Sequence, residues 1–276
     1  MNILVTGAAG GMGLAACELL HADGYAVIGT DIAEPARNTG WRFIRADLTK
    51  EEDAADIAAV LTRQDIRLDA VIHHAGIYDL NSLVEMTEAD MSRIWNVNFF
   101  AAVRLNRLLL PLLAPGARIV LTSSELAPLD PLPFTGIYGI TKTAVEKYAF
   151  SLRMELQLLG YRVVVLRPGA VRTPLLGVSE KRLDAFTAET AHYSYNAQRF
   201  RRIVSSVEAK SVPPERIART DLRILQAKHP KYIYNVNRNP ALRLMHLLPA
   251  RVQTALIRRI LGQPQAALAE RKEKVL

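Results

Sequence analysis

The sequence predicts an α/β protein: a doubly wound parallel sheet of about seven strands with helices on both faces. Three observations predict it. Apolar, β-branched runs recur along the chain and are near-continuous rather than alternating, as strands covered on both sides require. Helical patterns separate these runs from the start of the chain. A glycine-rich turn, TGAAGGMG at 6–13, joins the first run to the first helix.

The elements follow in order. NILVT (2–6) is the first strand and 12–23 the first helix. YAVIGTD (25–31) and RFIRA (42–46) are the next strands, and 51–64 is helical. DAVIHH (69–74) precedes a long helix at 88–113, with a break expected near 96–98. Thr87 ahead of Glu88 and Asp90 marks that helix start, with negative charge in its first turn. ARIVLT (117–122) is followed by a helix at 137–159, which Gly160 stops. YRVVVLR (161–167) leads into a polar, aromatic stretch at 175–213, helical in part over 179–209. Such a stretch after a late strand reads as a lid or substrate loop. A helix at 214–228 and the strand KYIYNV (231–236) complete a single catalytic domain over 1–237. The remainder, 238–276, reads as a basic amphipathic helical extension, broken into two helices by Pro249.

Composition narrows the function classes. Half of the 276 residues are apolar, enough for a sizeable core. The single cysteine, Cys17, permits no internal disulfide and suggests a reducing compartment. No leader precedes the first strand and no run approaches a membrane span, so the expected location is cytoplasmic. The net charge of +8 is concentrated in the tail: residues 238–276 hold eight Arg or Lys against two Glu. The body is nearly neutral, so nucleic acid is not an expected partner.

The glycine turn lets a diphosphate approach the backbone and the positive end of the following helix. It fits more than one spacing: Gly7, Gly11 and Gly13, or Gly7, Gly10 and Gly13, with Ala16 allowing a third. Asp31 closes the second strand, where an acidic side chain accepts ribose hydroxyls and repels a 2′-phosphate. The turn carries no Arg or Lys, so NAD is favoured over NADP, with Arg37 as a nearby basic residue. Asp47 suits either an adenine amino group or a helix cap. Tyr138 and Lys142, in YGITK, stand at i and i+4 on one helical face. A tyrosine beside an ammonium can exchange a proton with an alcohol or carbonyl oxygen.

Together these motifs make the chain resemble the short-chain dehydrogenase/reductase superfamily over roughly residues 1–236. TGAAGGMG resembles its cofactor turn, ADL (46–48) its adenine contact, and HHAG (73–76) the place where the family usually shows NNAG. NVNFF (96–100), IVLTSS (119–124), YGITK (138–142) and RPGAVRTP (167–174) resemble its later motifs, in order. The resemblance implies a Rossmann-type fold with a catalytic set of Asn98, Ser124, Tyr138 and Lys142. It makes Tyr138 the acid/base, Ser124 the partner of the substrate oxygen, and Lys142 the ribose contact that lowers the Tyr138 pKa. Asn98 would hold a local helix distortion and a water linking Lys142 to solvent. Hydride would pass between the cofactor C4 and the substrate carbon. The implied cofactor contacts are Gly7, Gly11, Met12, Gly13, Asp31, Asp47, Leu48, Ala75, Gly76, Tyr138, Lys142, Pro168, Gly169, Val171 and Thr173. RPGAVRTP and the few residues after the last strand point to the TGxxxGxG branch, hence to Gly7, Gly11 and Gly13.

His73 and His74 depart from the family's asparagines and read as structural substitutes. Adjacent strand residues point to opposite faces, and no acidic partner is evident in sequence, so no metal site is expected. Ser123 competes with Ser124 and is expected to point away. The stretch from SLRMEL to RTP resembles steroid- and retinol-oxidising members, implying a hydroxysteroid or similar lipophilic alcohol or ketone. Phe186, His192, Tyr193, Tyr195 and Phe200 suit either an apolar pocket or lid packing, and RFRR (199–202) reads as a solvated helix face. The tail is expected to pack on the cleft or a partner rather than bind a membrane. By analogy a homodimer or homotetramer is expected. Two other functions fit the cofactor motifs: an NAD-dependent sugar-nucleotide epimerase or dehydratase, and a non-catalytic NAD-binding regulator. The regulator has no need of the acid/base tyrosine.

Overall fold

In a computed structural model, residues 1–263 are described; residues 264–276 of the predicted extension lie outside them. The seven strands are β1 (Asn2–Thr6), β2 (Ala26–Asp31), β3 (Arg42–Arg45), β4 (Leu68–His73), β5 (Leu113–Thr122), β6 (Arg162–Pro168) and β7 (Ile233–Val236). They form one parallel sheet in the order β3-β2-β1-β4-β5-β6-β7, a Rossmann-type arrangement. The chain winds outward from β1 to one edge, then returns to β4 and winds to the other. The carboxyl ends of β1 and β4 therefore flank the crevice where such sheets bind ligands.

Parallel neighbours need long crossovers, and helices supply them. One face carries α1 (Gly11–Ala22) and, late in the chain, α8 (Glu215–Gln226); the other carries α2 (Glu51–Arg63), α4 (Ala101–Leu109) and α5 (Gly136–Leu156). Strand alternation sorts the core between them. Ile3 and Val5 of β1 join Cys17, Leu20, Ile217 and Ile224 on the first face. Leu4 joins Leu61, Leu105, Leu109 and Val145 on the second. Thr87 caps α3 (Glu88–Trp95), accepting the Asp90 amide at 3.1 Å, and Gly160 ends the turn after α5 at φ +81°.

The predicted break in the long helix is a π-turn over Asn96–Phe100, between α3 and α4. The stretch read as a loop, helical in part over 179–209, is mostly helical: it forms α6 (Pro174–Glu189) and α7 (Ser194–Glu208). A satellite core explains this, with Phe186, Tyr193 and Phe200 packed around Phe134 at ring distances of 5.1 to 5.3 Å. Two polar latches hold the pair to the body. Asp79, buried between β4 and α3, pairs with both Arg93 and Arg182. Glu85 accepts from the Thr190 hydroxyl at 2.7 Å and the His192 amide at 2.9 Å.

The tail forms two helices, α9 (Pro240–His246) and α10 (Ala250–Leu261), interrupted at Pro249. Its inner face packs on α7 through Ile257, Ile260 and Leu261, and the Asn196 amide donates to the Leu261 carbonyl at 2.6 Å. Leu244, Leu247, Val252 and Leu256 are exposed on the outer face. No described helix is long and apolar enough to cross a membrane.

Candidate functional site

The glycine turn lies at the sheet's switch point and its backbone requires glycine at three places. Gly7 sits at φ +72°, and a Cβ there would lie 2.8 Å from the Ala75 amide nitrogen at the end of β4. Gly11 sits at φ +53°, facing Thr173, whose side chain would be 3.0 Å from an added Cβ. A Cβ on Gly13 would fall 2.1 Å from the Gly7 carbonyl oxygen. Gly10, at φ −158°, has open space. Gly10 puts no side-chain cap on α1, and no acidic residue occupies the first turn. The amides there are thus open to an anion, and the cradle fits a dinucleotide's diphosphate.

Asp31 ends β2 beside this turn, its Oδ2 accepting the Ala9 amide at 3.0 Å and its Oδ1 the Ala33 amide at 3.3 Å. Arg37, the basic residue noted in sequence, is paired with Glu18. Arg45, opposite Asp31 in the β2–β3 register, donates to the Ile32 carbonyl at 3.0 Å and brings a second guanidinium to this corner. Asp47 binds its own loop: Oδ1 accepts the Thr49 amide at 3.0 Å and hydroxyl at 2.7 Å. The cap position of α2 is Lys50, without a side-chain bond, so Asp47 shapes the approach to that helix without capping it. Leu48 is buried, and its carbonyl accepts from Arg104 at 2.7 Å.

Across the crevice, Thr6 accepts the Ala75 amide at 3.0 Å and ties β1 to the HHAG corner. Gly76 is confined there: an added Cβ would lie 3.3 Å from Asn98 Oδ1 and 3.5 Å from Lys142 Nζ. Asn98, in the π-turn, accepts the Ile77 amide at 2.8 Å and donates to the Ile77 carbonyl at 3.0 Å and to Thr141 at 3.2 Å. A π-turn frees backbone groups and re-aims one side chain, which is how Asn98 reaches the β4 loop from a helix.

Ser124 leaves the end of β5, and Tyr138 and Lys142 project from the first turns of α5. Their side chains meet. The Tyr138 phenol is partly buried and hydrogen-bonds the Ser124 side chain. Burial pushes its pKa up to about 12, the Ser124 bond opposes this, and the charge of Glu125 adds to it. Lys142 Nζ lies 5.8 Å from the Tyr138 ring centre and donates to the Thr122 carbonyl at 3.0 Å. Burial lowers its pKa from 10.5 to about 8. Ser123 turns the other way, donating to Glu146 at 2.7 Å.

Ser124 and Tyr138 wall an apolar cleft of about 180 Å³. Met12, Tyr78, Leu126, Leu132, Phe200, Ile203, Val204, Val207 and Leu242 line it, with Pro168, Gly169, Val171 and Thr173 along the β6 side. The 168–173 segment is held by Gly169 donating to the Val236 carbonyl at 2.8 Å and by a bridge between Val171 and Val212. Of the loop aromatics, only Phe200 reaches the cleft; Phe186 and Tyr193 pack the satellite core, and Tyr195 pairs with Arg199. Arg201 pairs with Asp184 on the outer side.

The two histidines diverge as strand alternation requires. His73 meets Asn106 at 2.8 Å, and burial lowers its pKa to about 4, so it is neutral near pH 7. His74 bridges Thr122 at 2.8 Å and Asp221 at 2.9 Å. Here the sequence reading is corrected: an acidic partner exists, on α8, brought in by a fold contact spanning 147 positions. Among the described residues no group of three or more His, Cys, Asp or Glu could hold a metal. Sequence reasoning also passed over Tyr78, edge-on to Tyr138 at 4.6 Å, and Leu242 of the tail. Glu125 was missed too, although it directly follows Ser124.

Comparison with known proteins agrees with this geometry. The family model described as short chain dehydrogenase matches residues 1–184. A 3-ketodihydrosphingosine reductase of Bacteroides thetaiotaomicron is 26% identical over 83% of this chain and 85% of its own. Human 17-beta-hydroxysteroid dehydrogenase type 2 is 28% identical over 95% of this chain and 74% of its own. A short chain dehydrogenase family protein from Francisella tularensis superposes with a TM-score of 0.71 at 24% identity, covering 85% of this chain and 96% of that one. Thermoplasma acidophilum aldohexose dehydrogenase gives 0.71 at 20%, covering 85% and 91%; at such identities the likeness concerns the fold. A glycine cradle at the switch point, an apolar cleft closed by Ser124 and Tyr138, and a family match over two thirds of the sequence lead to one conclusion: the chain belongs to the short-chain dehydrogenase family.

Proposed function

We propose that this protein is an NAD(H)-dependent oxidoreductase that interconverts a secondary alcohol and a ketone on a lipophilic substrate, a hydroxysteroid or a molecule of similar character. The observation that carries the reading is the hydrogen-bonded Ser124–Tyr138 pair on the wall of an apolar cleft, with a buried ammonium behind it. Two relatives whose names specify a steroid and a sphingoid ketone support the lipophilic class.

In this reading Gly7, Gly11, Met12 and Gly13 hold the cofactor's diphosphate side. Asp31 and the Asp47–Leu48 segment hold its adenosine end. Ala75, Gly76, Pro168, Gly169, Val171 and Thr173 frame its nicotinamide end. The nicotinamide, when bound, supplies or accepts the hydride at the substrate carbon. Ser124 donates to the substrate oxygen and steadies the charge that develops there. Tyr138 gives its proton to that oxygen in reduction and takes it back in oxidation. A phenol held at about 12 is a dependable donor at neutral pH. Lys142, largely charged near pH 7 at a pKa of about 8, offsets the phenolate left behind. Asn98 holds the β4 loop and Thr141 in place beside Lys142. Residues 1–237 act as the catalytic unit, and the extension from 238 covers the cleft through Leu242. Asp31 favours NAD.

The test is turnover of NAD with a panel of steroid and long-chain secondary alcohols, followed by absorbance of the reduced cofactor. Tyr138→Phe is expected to abolish turnover while NAD affinity, measured by calorimetry, stays within about twofold. Full activity in that variant, or sugar-nucleotide conversion without net cofactor reduction, would overturn the reading.

A further inference from the structure

The substrate cleft is apolar except near its catalytic end, and there it contains a carboxylate that the proton chemistry does not use. Glu125 follows Ser124 directly. Beyond Thr122 the backbone keeps its bonds to β6, the Ser123 amide donating to the Leu166 carbonyl and the Glu125 amide to the Pro168 carbonyl, both at 2.8 Å, and Ser124 and Glu125 both line the cleft. Glu125 is 7% exposed. Its Oε2 accepts the Asn239 amide at 2.6 Å. Its Oε1 receives no hydrogen bond from any described residue and lies against Gly169, where an added Cβ would be 2.9 Å away. Arg238 reaches it only through its field and forms no ion pair with it. Glu125 lines the cleft, so a ligand that enters it can reach this oxygen.

Resting on the alcohol–ketone reading above, we propose that Glu125 is a substrate-recognition site for an ammonium group on the carbon next to the reacting one. The reason is spacing. Ser124 and Glu125 are consecutive residues that both line the cleft, so a group held by Glu125 lies close to the carbon whose oxygen Ser124 binds. The preferred substrate is thus a long-chain or ring-bearing amino alcohol or amino ketone. Its apolar body lies toward Phe200, Val204 and Leu242, and its amine toward Oε1. An ammonium there also offsets the Glu125 charge that opposes ionisation of Tyr138, so the amine assists proton transfer as well as binding.

Binding and turnover of two probes, 2-aminododecan-3-ol and dodecan-3-ol, are compared in the presence of NAD, with the wild type and Glu125→Gln. The glutamine keeps an oxygen for the Asn239 amide, so the tail stays tethered. The wild type is expected to bind the amino alcohol about ten- to a hundredfold more tightly, as a charge-assisted hydrogen bond contributes. In Glu125→Gln that affinity gap closes, with the loss confined to the amino alcohol. Equal affinities in the wild type, or a parallel loss for both probes in the variant, would overturn the assignment. A preserved affinity gap with neither alcohol oxidised would instead defeat the proposed reaction and leave the Glu125 site standing.

Discussion

Replacing Lys142 with methionine should make the protein more stable at neutral pH and inactive. In the free protein, burial lowers the Lys142 pKa from 10.5 to about 8. At about 1.4 kcal/mol for each tenfold change in proton affinity, that is about 3 kcal/mol. The folded-state pKa is the depressed one. Above 10.5 both states are neutral and there is no penalty. As pH falls from 10.5 through 8 the unfolded chain takes up its proton first, and stability is lost. Below 8 the folded state bears the full cost of a buried ammonium. Methionine removes that cost but also removes the 3.0 Å bond to the Thr122 carbonyl, worth about 1 kcal/mol. Lys142→Met is therefore expected to gain about 2 kcal/mol at pH 7 and to lose the gain between pH 8 and 10.5. Urea unfolding of both proteins across pH 7 to 10.5 checks this, since their difference cancels groups common to both. A stability difference independent of pH would refute the buried-ammonium reasoning. So would a variant less stable at pH 7 than at pH 10.

Three further outcomes follow from the site. Gly13→Ala places a Cβ 2.1 Å from the Gly7 carbonyl oxygen and should weaken NAD binding by more than about tenfold, whereas Gly10→Ala, facing open space, should leave it unchanged; calorimetric titration of both decides. Asp31→Ser removes the acid proposed to face the ribose while Arg45 stays beside Ile32, so the kcat/KM ratio of NADP to NAD should rise by at least about tenfold. His74→Ala strips Asp221, already lacking a partner at Oδ1, of its remaining hydrogen bond, and an unfolding free energy from urea titration lower by about 3 kcal/mol is expected; a loss below about 1 kcal/mol would contradict a tight buried pair.

The sheet was legible in sequence because each strand is covered on both faces and so carries an uninterrupted apolar run. β1 and β6 need no tertiary information to be recognised. The glycine turn was legible for a different reason: backbone crowding at Gly7, Gly11 and Gly13 leaves a chemical trace, the missing side chain. The position of Gly10, which the fold does not require, blurred that trace. What stayed hidden depends on distant chain segments. His74 meets Asp221 only because α8 returns to the face that α1 covers. Phe186 and Tyr193 looked equally suited to a pocket, and the deciding neighbour, Phe134, lies 52 positions before Phe186 in another loop. Glu125 was hidden in plain view: strand alternation predicts that it turns away from Ser124, yet both line the cleft, and the Asn239 amide that holds Glu125 comes from a segment 114 positions later.

The π-turn at Asn96–Phe100 makes chain length, as well as residue identity, a condition of this site. An α-helix advances about 100° per residue. The extra residue of a π-turn is absorbed by its wider winding, so deleting one residue here would restore a regular α-helix and leave α4 facing the core as before. Leu105 and Leu109 would stay in the core, but Asn98 would lose the displacement that aims it at Ile77. Insertions and deletions are ordinarily absorbed by loops, but here a helix interior carries a counted residue. Homologous enzymes that share this turn should therefore vary freely in side chains along the outer face of α3 and α4, yet keep the interval between the Thr87 cap and Leu105 constant.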